Sequence, residues 1–417
     1  MINKNYSNWI CFQIGAREHY AIPRILKQKQ QLYCLVTDSW ITPRSPLNLL
    51  PNSILSSLRE RYNVQLSSAS ICSFNSSLIK FEIKQKFKNR SSWQTIIDRN
   101  YWFQQQSLEF LKSIVNYINK PVTIFAYSYA ALEILKFAKD RGWQTILGQI
   151  DPGIYEEQLV QKENNLYLQY ADNWQPAPTQ YWTDWQQECL LADKIVVNSE
   201  WSSKALQKTG IPSYKIATVP LAYKTPPTAK NFAKFYPKSF SGKRPLRVLF
   251  LGQIILRKGI ARILEAIELL KNEAIEFWFV GSIQVKLPRE IKNNPQIKWF
   301  GSVSRSTTVS YYQQADVFLF PTLSDGFGLT QLEAQAWRLP IIASHYCGAV
   351  VKDGVNGLLL TEVTDKAIAD SLLFCLHNPD LLQQFSQKSE DIITNFSLEK
   401  LGNKLQIVNE TKFKISQ

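Results

Sequence analysis

The sequence contains no run of 18 uncharged apolar residues among its 417, so it predicts no membrane-spanning helix. Its first twelve residues, MINKNYSNWICF, lack the long apolar stretch and the small-residue cleavage site of a signal peptide. We therefore expect a cytoplasmic chain. Apolar residues make up 45% and charged residues 20% of the composition, which is typical of a folded globular protein and excludes the disordered and fibrous classes.

Cysteine and histidine are scarce and scattered. The six cysteines form no CxxC pair, and the three histidines, His19, His345 and His377, lie far apart in the sequence. This pattern is typical of reduced thiols in a folded chain and not of disulfides or zinc ligands. We expect no metal centre.

Acidic residues are strongly outnumbered by basic ones in only one part of the chain. Residues 1–245 contain 30 Lys and Arg against 17 Asp and Glu, a net charge of +13, whereas residues 246–417 contain 18 against 17, a net charge of +1. This asymmetry indicates two parts with different partners, the first of them an anionic surface or acceptor. No recognised nucleic-acid motif accompanies the positive charge, so nucleic acid is not an expected partner.

Short apolar segments alternate with helical segments in both halves, which predicts an α/β fold with parallel sheets. The predicted strands include residues 9–15, 32–38, 122–127, 144–151, 247–252, 275–281, 297–301 and 316–321. Residues 223–245 contain four prolines, six Lys and Arg and no acid, and we interpret them as a linker, with an inserted surface loop as the alternative. The predicted domains are residues 1–222 and 246–395, followed by a helical tail at 396–417.

The segment PTLSDGFGLTQLEAQAWRLPIIAS (321–344) combines a strand end, a glycine turn and a helix start. Gly326 and Gly328 let backbone amides approach a ligand, and the helix N-terminus beyond them offers unpaired N–H groups to a diphosphate. The eight-residue spacing from Asp325 predicts that Glu333 lies two turns into the helix, where its carboxylate can accept hydrogen bonds from ribose hydroxyls. A plain turn with a surface glutamate fits the spacing equally well.

A second glycine turn occurs in VLFLGQIILRKGI (248–260), where Arg257, Lys258 and Gly259 precede a helix. Two cations at a helix start oppose the helix dipole, but they suit a site that holds a phosphate. A solvated basic turn is the alternative.

These segments resemble the signatures of the retaining family-4 glycosyltransferases, which have the GT-B fold. The family pattern Glu-x7-Glu with an interior Gly-Phe-Gly is represented here by Asp325 and Glu333, and Arg338 replaces a glycine that usually follows. In the family's Gly-Arg-x-x-x-x-Lys-Gly phosphate clamp, Lys258 occupies the lysine position and Gln253 replaces the arginine.

The resemblance implies two doubly wound, Rossmann-like domains that face a cleft, with a nucleotide sugar held by the second domain. It implies catalytic roles for Lys258, Asp325 and Asp151, the last standing near the position of a family histidine; an ordinary Asp-Pro-Gly turn is the alternative for Asp151. His19 is a candidate contact for the acceptor, or simply a polar residue at a helix start. The implied donor contacts are Gly15, Gln253, Arg257, Ser302, Val303, Gly326, Phe327, Gly328, Leu329 and Glu333.

The function implied by this resemblance is transfer of a hexose from a nucleotide-diphosphate sugar to a glycan or lipid-linked acceptor, with retention of configuration, in polysaccharide biosynthesis. No cofactor and no metal are expected, because Lys258, Arg257 and backbone amides would neutralise the leaving group. The alternatives are a non-catalytic GT-B protein that binds sugar nucleotides or glycans, a sugar-nucleotide epimerase and a phosphorylase.

The segment KFEIKQKFKNR (80–90) interleaves cations with Phe81, Ile83 and Phe87. This composition favours peripheral contact with an anionic membrane, such as the inner face of the plasma membrane. A basic edge strand or a solvated helix face is the alternative.

Overall fold

The computed structural model describes residues 8–49, 58, 61–87, 91–171 and 174–410. These residues form two α/β domains, and every strand pairing within their two sheets is parallel. The predicted fold class is therefore confirmed.

The first domain contains seven strands and the helices that cover them. The strands are β1 (Asn8–Gln13), β2 (Leu32–Thr37), β3 (Ile71–Ser73), β4 (Val122–Tyr127), β5 (Gln144–Gln149), β6 (Lys194–Val197) and β7 (Ile216–Thr218). The helices are α1 (Ala21–Gln28), α2 (Asn75–Lys86), α3 (Ser92–Ile114), α4 (Leu132–Lys139), α5 (Ile154–Leu166), α6 (Thr179–Leu191) and α7 (Glu200–Lys208).

The second domain repeats this arrangement on six strands. They are β8 (Leu246–Leu251), β9 (Ile275–Val280), β10 (Ile297–Gly301), β11 (Val317–Phe320), β12 (Ile341–Ala343) and β13 (Gly357–Leu359). The helices are α8 (Ile260–Leu269), α9 (Arg289–Lys292), α10 (Arg305–Gln314), α11 (Leu329–Ala336), α12 (Asp365–His377), α13 (Pro379–Ile393) and α14 (Leu398–Glu410).

The strand order of each sheet reverses at its centre. The orders are β3-β2-β1-β4-β5-β6-β7 and β10-β9-β8-β11-β12-β13, so the reversal lies between β1 and β4 in one sheet and between β8 and β11 in the other. Ligands of doubly wound sheets bind in the crevice at the carboxyl ends of such strands. The loops that follow these four strands are therefore the ones expected to hold the site.

The central strands are apolar because helices cover both faces of each sheet. Every residue of β4 is buried, and its alternate side chains enter two separate cores. Ile124 packs with Ile10 on one face, whereas Phe125 packs with Trp9 on the other. Because both faces of the strand are buried, its end is held in place, and so is the start of the loop that follows it.

Residues 223–245, interpreted as the linker, contain a short 3-10 turn at Pro227–Ala229 and pack on the second domain. The ammonium group of Lys234 is buried and donates to three backbone carbonyls, including that of Ala315 at 2.6 Å. The guanidinium of Arg244 forms two hydrogen bonds with the Asp316 carboxylate, at 2.7 and 2.6 Å.

The C-terminal helix α14 returns to the first domain. Leu401 and Leu405 join the apolar cluster of Trp9 and Ile25. Gly402 allows this close packing, because a Cβ atom at that position would lie 2.3 Å from Ile25. The last seven residues of the predicted tail lie outside the described part of the chain.

Candidate active site

A cavity of about 500 Å³, here called the central cavity, lies between the domains at the carboxyl ends of β8 and β11. The sequence-predicted residues that line it are Gln253, Arg257, Lys258, Asp325, Phe327, Gly328 and Leu329. From the first domain, Arg17, Glu18 and Asn198 complete its wall. The two glycine turns of the second domain, which follow separate strands, thus meet at one site.

Lys258 and Asp325 form an ion pair in this cavity. The Lys258 ammonium also lies 4.9 Å from the centre of the Phe320 ring. Burial lowers the pKa of Lys258. Burial acts to raise the pKa of Asp325, but the charges of Lys258 and Arg257 outweigh it and hold that pKa below its usual value. The two groups form an internal salt link that an incoming anion has to share.

The turn after Asp325 exposes backbone donors to the cavity. One Asp325 oxygen accepts the Phe327 amide at 3.1 Å, and Gly328 adopts a left-handed conformation with φ 81°. Within the described chain, the amides of Gly328, Leu329 and Thr330 donate to no acceptor, as is usual for the first turn of a helix. The start of α11 therefore offers a phosphate three unpaired N–H groups and the positive end of the helix dipole.

The sequence-based prediction that Glu333 lies two turns into its helix is wrong. Helix α11 begins only at Leu329, because Asp325–Gly328 is a turn, so Glu333 lies just over one turn into the helix. It consequently lines a different cavity from Asp325.

This second cavity, the lateral cavity, has a volume of about 460 Å³ and lies beside the central cavity along α11. One Glu333 oxygen accepts the Tyr312 hydroxyl at 2.9 Å, and the other lies 3.5 Å from Arg305. Burial raises the pKa of Glu333. His19 enters from the first domain, where both its ring nitrogens lie within 3.1 Å of the Arg305 guanidinium. Burial and then the Arg305 charge lower the pKa of His19 to about 4, so its ring is neutral at pH 7.

The loop after β1 has an unusual backbone. Gly15 has a φ of 72° and donates its amide to the buried Asp38 at 2.9 Å, while Glu18, His19 and Tyr20 all have φ between 51° and 58°. Three consecutive non-glycine residues in the left-handed region are strained, which is typical of functional loops. The strain directs Glu18 into the central cavity and His19 into the lateral one, while Gly15 lines neither cavity.

Two residues of the Gly-Phe-Gly turn serve mainly to build the site. The Phe327 side chain is 2% exposed and packs 5.8 Å from the Phe396 ring, so only its backbone faces the cavity. Gly326 lies against the first domain, because a Cβ atom there would be 1.9 Å from the Ile150 carbonyl oxygen. Gly326 therefore determines how closely the two domains approach each other at this point.

An interdomain cluster that the sequence did not reveal surrounds Arg257. Its guanidinium donates to the Ser324 carbonyl at 2.6 Å and lies 3.4 Å from the Glu156 carboxylate, which also accepts the Ser324 hydroxyl at 2.7 Å. Burial raises the pKa of Glu156 to about 7 against the opposing effect of Arg257. The only sequence signal for Glu156 was its position five residues after Asp151 at the start of a helix.

Like Gly15 and Gly326, three further predicted residues lie outside the central and lateral cavities. Asp151 follows β5 and lines a third cavity, of about 430 Å³, together with Glu156 and Arg257. Ser302 and Val303 follow β10, Ser302 exposed and Val303 packed on the core of the second domain, and neither lines any of the three cavities.

Comparison with known proteins identifies the second domain. Residues 232–391 match the family described as glycosyl transferases group 1. They form a group 1 glycosyltransferase domain. The capsular polysaccharide biosynthesis glycosyltransferase CapM of Staphylococcus aureus is 25% identical over 179 residues, which cover 40% of this chain and 47% of CapM. The chain thus spans less than half the length of this curated relative.

Solved structures extend the likeness to the whole fold. HepE of Anabaena, in complex with UDP, superposes with a TM-score of 0.60 at 13% identity over 97% of this chain and 100% of that one. Sucrose-phosphate synthase of Thermosynechococcus elongatus superposes with a TM-score of 0.64 at 15% identity over 98% of this chain and 100% of that one. The two domains of the chain therefore adopt the GT-B fold.

In the group 1 glycosyltransferase domain, an arginine occupies position 338, where the family pattern usually has glycine. Arg338 has a φ of 54°, a conformation that explains why glycine is usual there. Its side chain leaves the site, donating to the Phe232 carbonyl at 2.6 Å and pairing with Glu390 at 2.7 Å. The arginine thus fastens residues 223–245 to α13 and does not enter any of the three cavities.

No helix in the described ranges is long and apolar enough to cross a membrane. The described residues also contain no group of three or more His, Cys, Asp or Glu side chains placed to hold a metal ion.

Proposed function

We propose that this protein transfers a hexose from a nucleotide-diphosphate sugar to a hydroxyl of a glycan or lipid-linked acceptor, with retention of configuration. The observation that carries the proposal is the central cavity, where Lys258 and the free amides at the start of α11 converge. This donor set is complementary to a diphosphate leaving group. A protein of the same fold, HepE, has been solved with UDP-glucose, and CapM is named for capsular polysaccharide biosynthesis.

The two cavities joined by α11 suggest how the donor lies. The diphosphate would occupy the central cavity, and the ribose would reach Glu333 in the lateral cavity, one helical turn away. The carboxylate of Glu333 keeps spare acceptor capacity, because the described residues supply it only the Tyr312 hydroxyl and a distant Arg305. The base would lie beyond, near Ser302 and Val303.

In the reaction, the bond from the anomeric carbon to the phosphate oxygen breaks as a bond to the acceptor oxygen forms on the same face. The departing phosphate takes the acceptor proton. Lys258 and the α11 amides stabilise the charge that develops on the leaving group, which they are already oriented to receive. No metal or cofactor takes part in this scheme.

Several features favour contact of the first domain with an anionic membrane surface. Lys80, Ile83, Lys84 and Phe87 are exposed and follow the spacing of one helical face on α2 and its end, with Phe87 88% exposed. Residues 88–90 of the predicted basic segment lie outside the described residues. Phe81 instead packs on Trp102. Cations beside exposed apolar groups suit an anionic membrane interface.

The test is an assay of the full-length protein with a panel of nucleotide sugars. Release of nucleoside diphosphate should occur with one donor and should persist in excess EDTA, and NMR of the transfer product should show the donor's anomeric configuration. Binding of a donor without any release would favour the non-catalytic alternative, and conversion of the donor's own sugar would favour an epimerase. An inverted product would contradict retention.

A further inference from the structure

The third cavity, here called the aromatic cavity, is lined by five aromatic side chains from separate parts of the first domain. They are Trp93 on α3, Tyr129 after β4, Trp174 before α6, and Tyr181 and Trp182 on α6. All five are half-buried, so each keeps part of its ring surface exposed in a cleft. Five such rings form an apolar patch of the kind that marks a binding site.

Four of the five rings are held in fixed orientations. Tyr129 and Tyr181 are stacked with their centres 4.9 Å apart and their planes 15° apart, and Trp93 lies 5.1 Å from Tyr181. The Trp182 indole donates to Glu157 at 2.8 Å, and the Trp93 indole donates to the Gln175 carbonyl at 2.9 Å. Because these polar edges already have partners, a ligand meets mainly apolar ring faces that lose little entropy on binding.

The conformation of Tyr129 is also costly, which favours a functional reason for it. Its φ is 74°, in the left-handed region that bulky residues rarely adopt. The turn is held by the buried Glu188 carboxylate, which accepts the amides of Tyr129, Ala131 and Leu132 at 2.7 to 3.1 Å. This arrangement presents the Tyr129 phenol to Asp151 and its ring to the cavity.

Asp151 supplies the polar side of the cavity. One of its oxygens accepts three hydrogen bonds, from the Tyr129 hydroxyl, the Gln149 amide group and the Gly153 backbone amide. Its other oxygen takes no hydrogen bond from the residues that the structure describes. An oriented carboxylate beside aromatic faces is suited to accept a hydroxyl of a ring whose C–H face packs on the aromatics.

The position of the cavity links it to the chemistry. Arg257 lines both the aromatic and the central cavities. The turn at Gly326 lies against the first domain beside Asp151, because a Cβ atom at Gly326 would be 3.3 Å from the Asp151 Cα. A ring bound on the aromatics would therefore place a hydroxyl beside the sugar of the donor.

We propose that the aromatic cavity binds the acceptor, in the form of an uncharged sugar ring at the end of a glycan. This inference rests on the proposed transferase function, because it assigns the second substrate of the same reaction. The charge of the cavity sets the class of sugar. Three acidic side chains, those of Asp151, Glu156 and Glu157, share the lining with a single cation, Arg257. The acids outnumber the cation even where Glu156 is protonated, so a uronic acid or a phosphorylated sugar would be repelled.

The experiment measures binding of methyl hexosides and methyl glucuronide to the full-length protein by saturation-transfer NMR and tryptophan fluorescence. At least one neutral hexoside should bind, and the glucuronide should bind more weakly. Trp93→Ala should weaken that hexoside about fivefold or more, as expected for loss of a ring contact, and Trp93→Phe should restore most of the affinity. Trp143→Ala, a half-buried tryptophan of the first domain outside the cavity lining, is the matched control and should change nothing.

Steady-state kinetics with the hexoside that binds then separates the two substrates. Trp93→Ala should raise the acceptor KM and leave the donor KM within about twofold of its normal value. The inference is overturned if no neutral hexoside binds, if the glucuronide binds as well as the best hexoside, or if both KM values rise together. A wild-type protein that binds a hexoside but releases no nucleoside diphosphate from any donor would instead overturn the proposed transfer and leave the sugar site in place.

Discussion

Lys258 and Asp325 are paired in the central cavity although they come from different glycine turns, one after β8 and one after β11. The two strands are neighbours at the point where the sheet order reverses. Each turn alone has an ordinary explanation, as a basic loop or an acidic one. Their contact creates a buried cation beside free helix amides, and this combination supports a site for a diphosphate.

Replacing Lys258 should slow the chemical step. We expect Lys258→Ala to lower turnover on the order of a hundredfold, as does loss of one transition-state donor elsewhere, because Gln253 supplies no charge in its place. The measurement is kcat for release of nucleoside diphosphate, with melting temperature as a control for the unpaired Asp325. If Arg257→Ala abolished activity while Lys258→Ala did not, Arg257 would be the cation that stabilises the leaving group.

Replacing Glu333 should weaken donor binding. Glu333→Gln keeps the size of the side chain but removes charge-assisted hydrogen bonds worth roughly 1.5–3 kcal/mol. Donor or nucleoside diphosphate affinity should fall at least about tenfold in calorimetry. An unchanged affinity in a folded variant would show that the ribose lies elsewhere.

Adding a methyl group at Gly326 should hold the domains apart. A Cβ atom there would lie 1.9 Å from the Ile150 carbonyl oxygen, which is backbone and cannot turn aside. We expect Gly326→Ala to increase the radius of gyration in X-ray scattering and to reduce turnover. The matched control is Gly242→Ala, whose Cβ would meet open space. Equal scattering and activity of the two variants would contradict an essential closed contact.

The buried Glu156 should make stability depend on pH. Its pKa is raised to about 7 by burial, above its ordinary value of 4.5, so the fold favours the protonated form. The associated stability is fully present below about pH 4.5 and is lost as the pH rises through 7. Glu156→Gln should therefore flatten the fall in melting temperature between pH 5 and pH 8. The exposed Glu200→Gln is the control, and an identical slope in wild type and Glu156→Gln would refute this assignment.

The exposed face at the end of α2 should bind anionic vesicles. We expect the protein to co-sediment with vesicles as their anionic lipid content rises, and to be released by high salt, because each cation contributes at most about 1 kcal/mol. Changing Phe87 to Ser should reduce binding. Phe235→Ser, at a phenylalanine that is 80% exposed in the 223–245 segment, is the control. If the protein does not bind the vesicles at low salt, the positive charge of the first domain instead serves binding of a dissolved anionic partner or solubility.

The sequence by itself determined the fold class and the elements of the donor site. Alternating strands and helices predicted two parallel α/β domains because that pattern depends on local periodicity, and most predicted strands lie within three residues of their observed ends. The short edge strands β3 and β13 carry only three residues each and left no comparable signal. The turns at Lys258 and Asp325 were recognisable because their chemistry is contiguous in sequence.

Only the tertiary structure determined which residues of distant segments come into contact. The helix start at Leu329, and not the spacing of the acids, placed Glu333 one turn from the cavity shared by Lys258 and Asp325. Glu156 meets Arg257 across the domain interface, and Trp93 meets Tyr181 although 88 positions separate them. The first contact depends on how the two domains pack, and the second depends on how distant segments fold together within the first domain. The local propensities that a sequence displays encode neither of them.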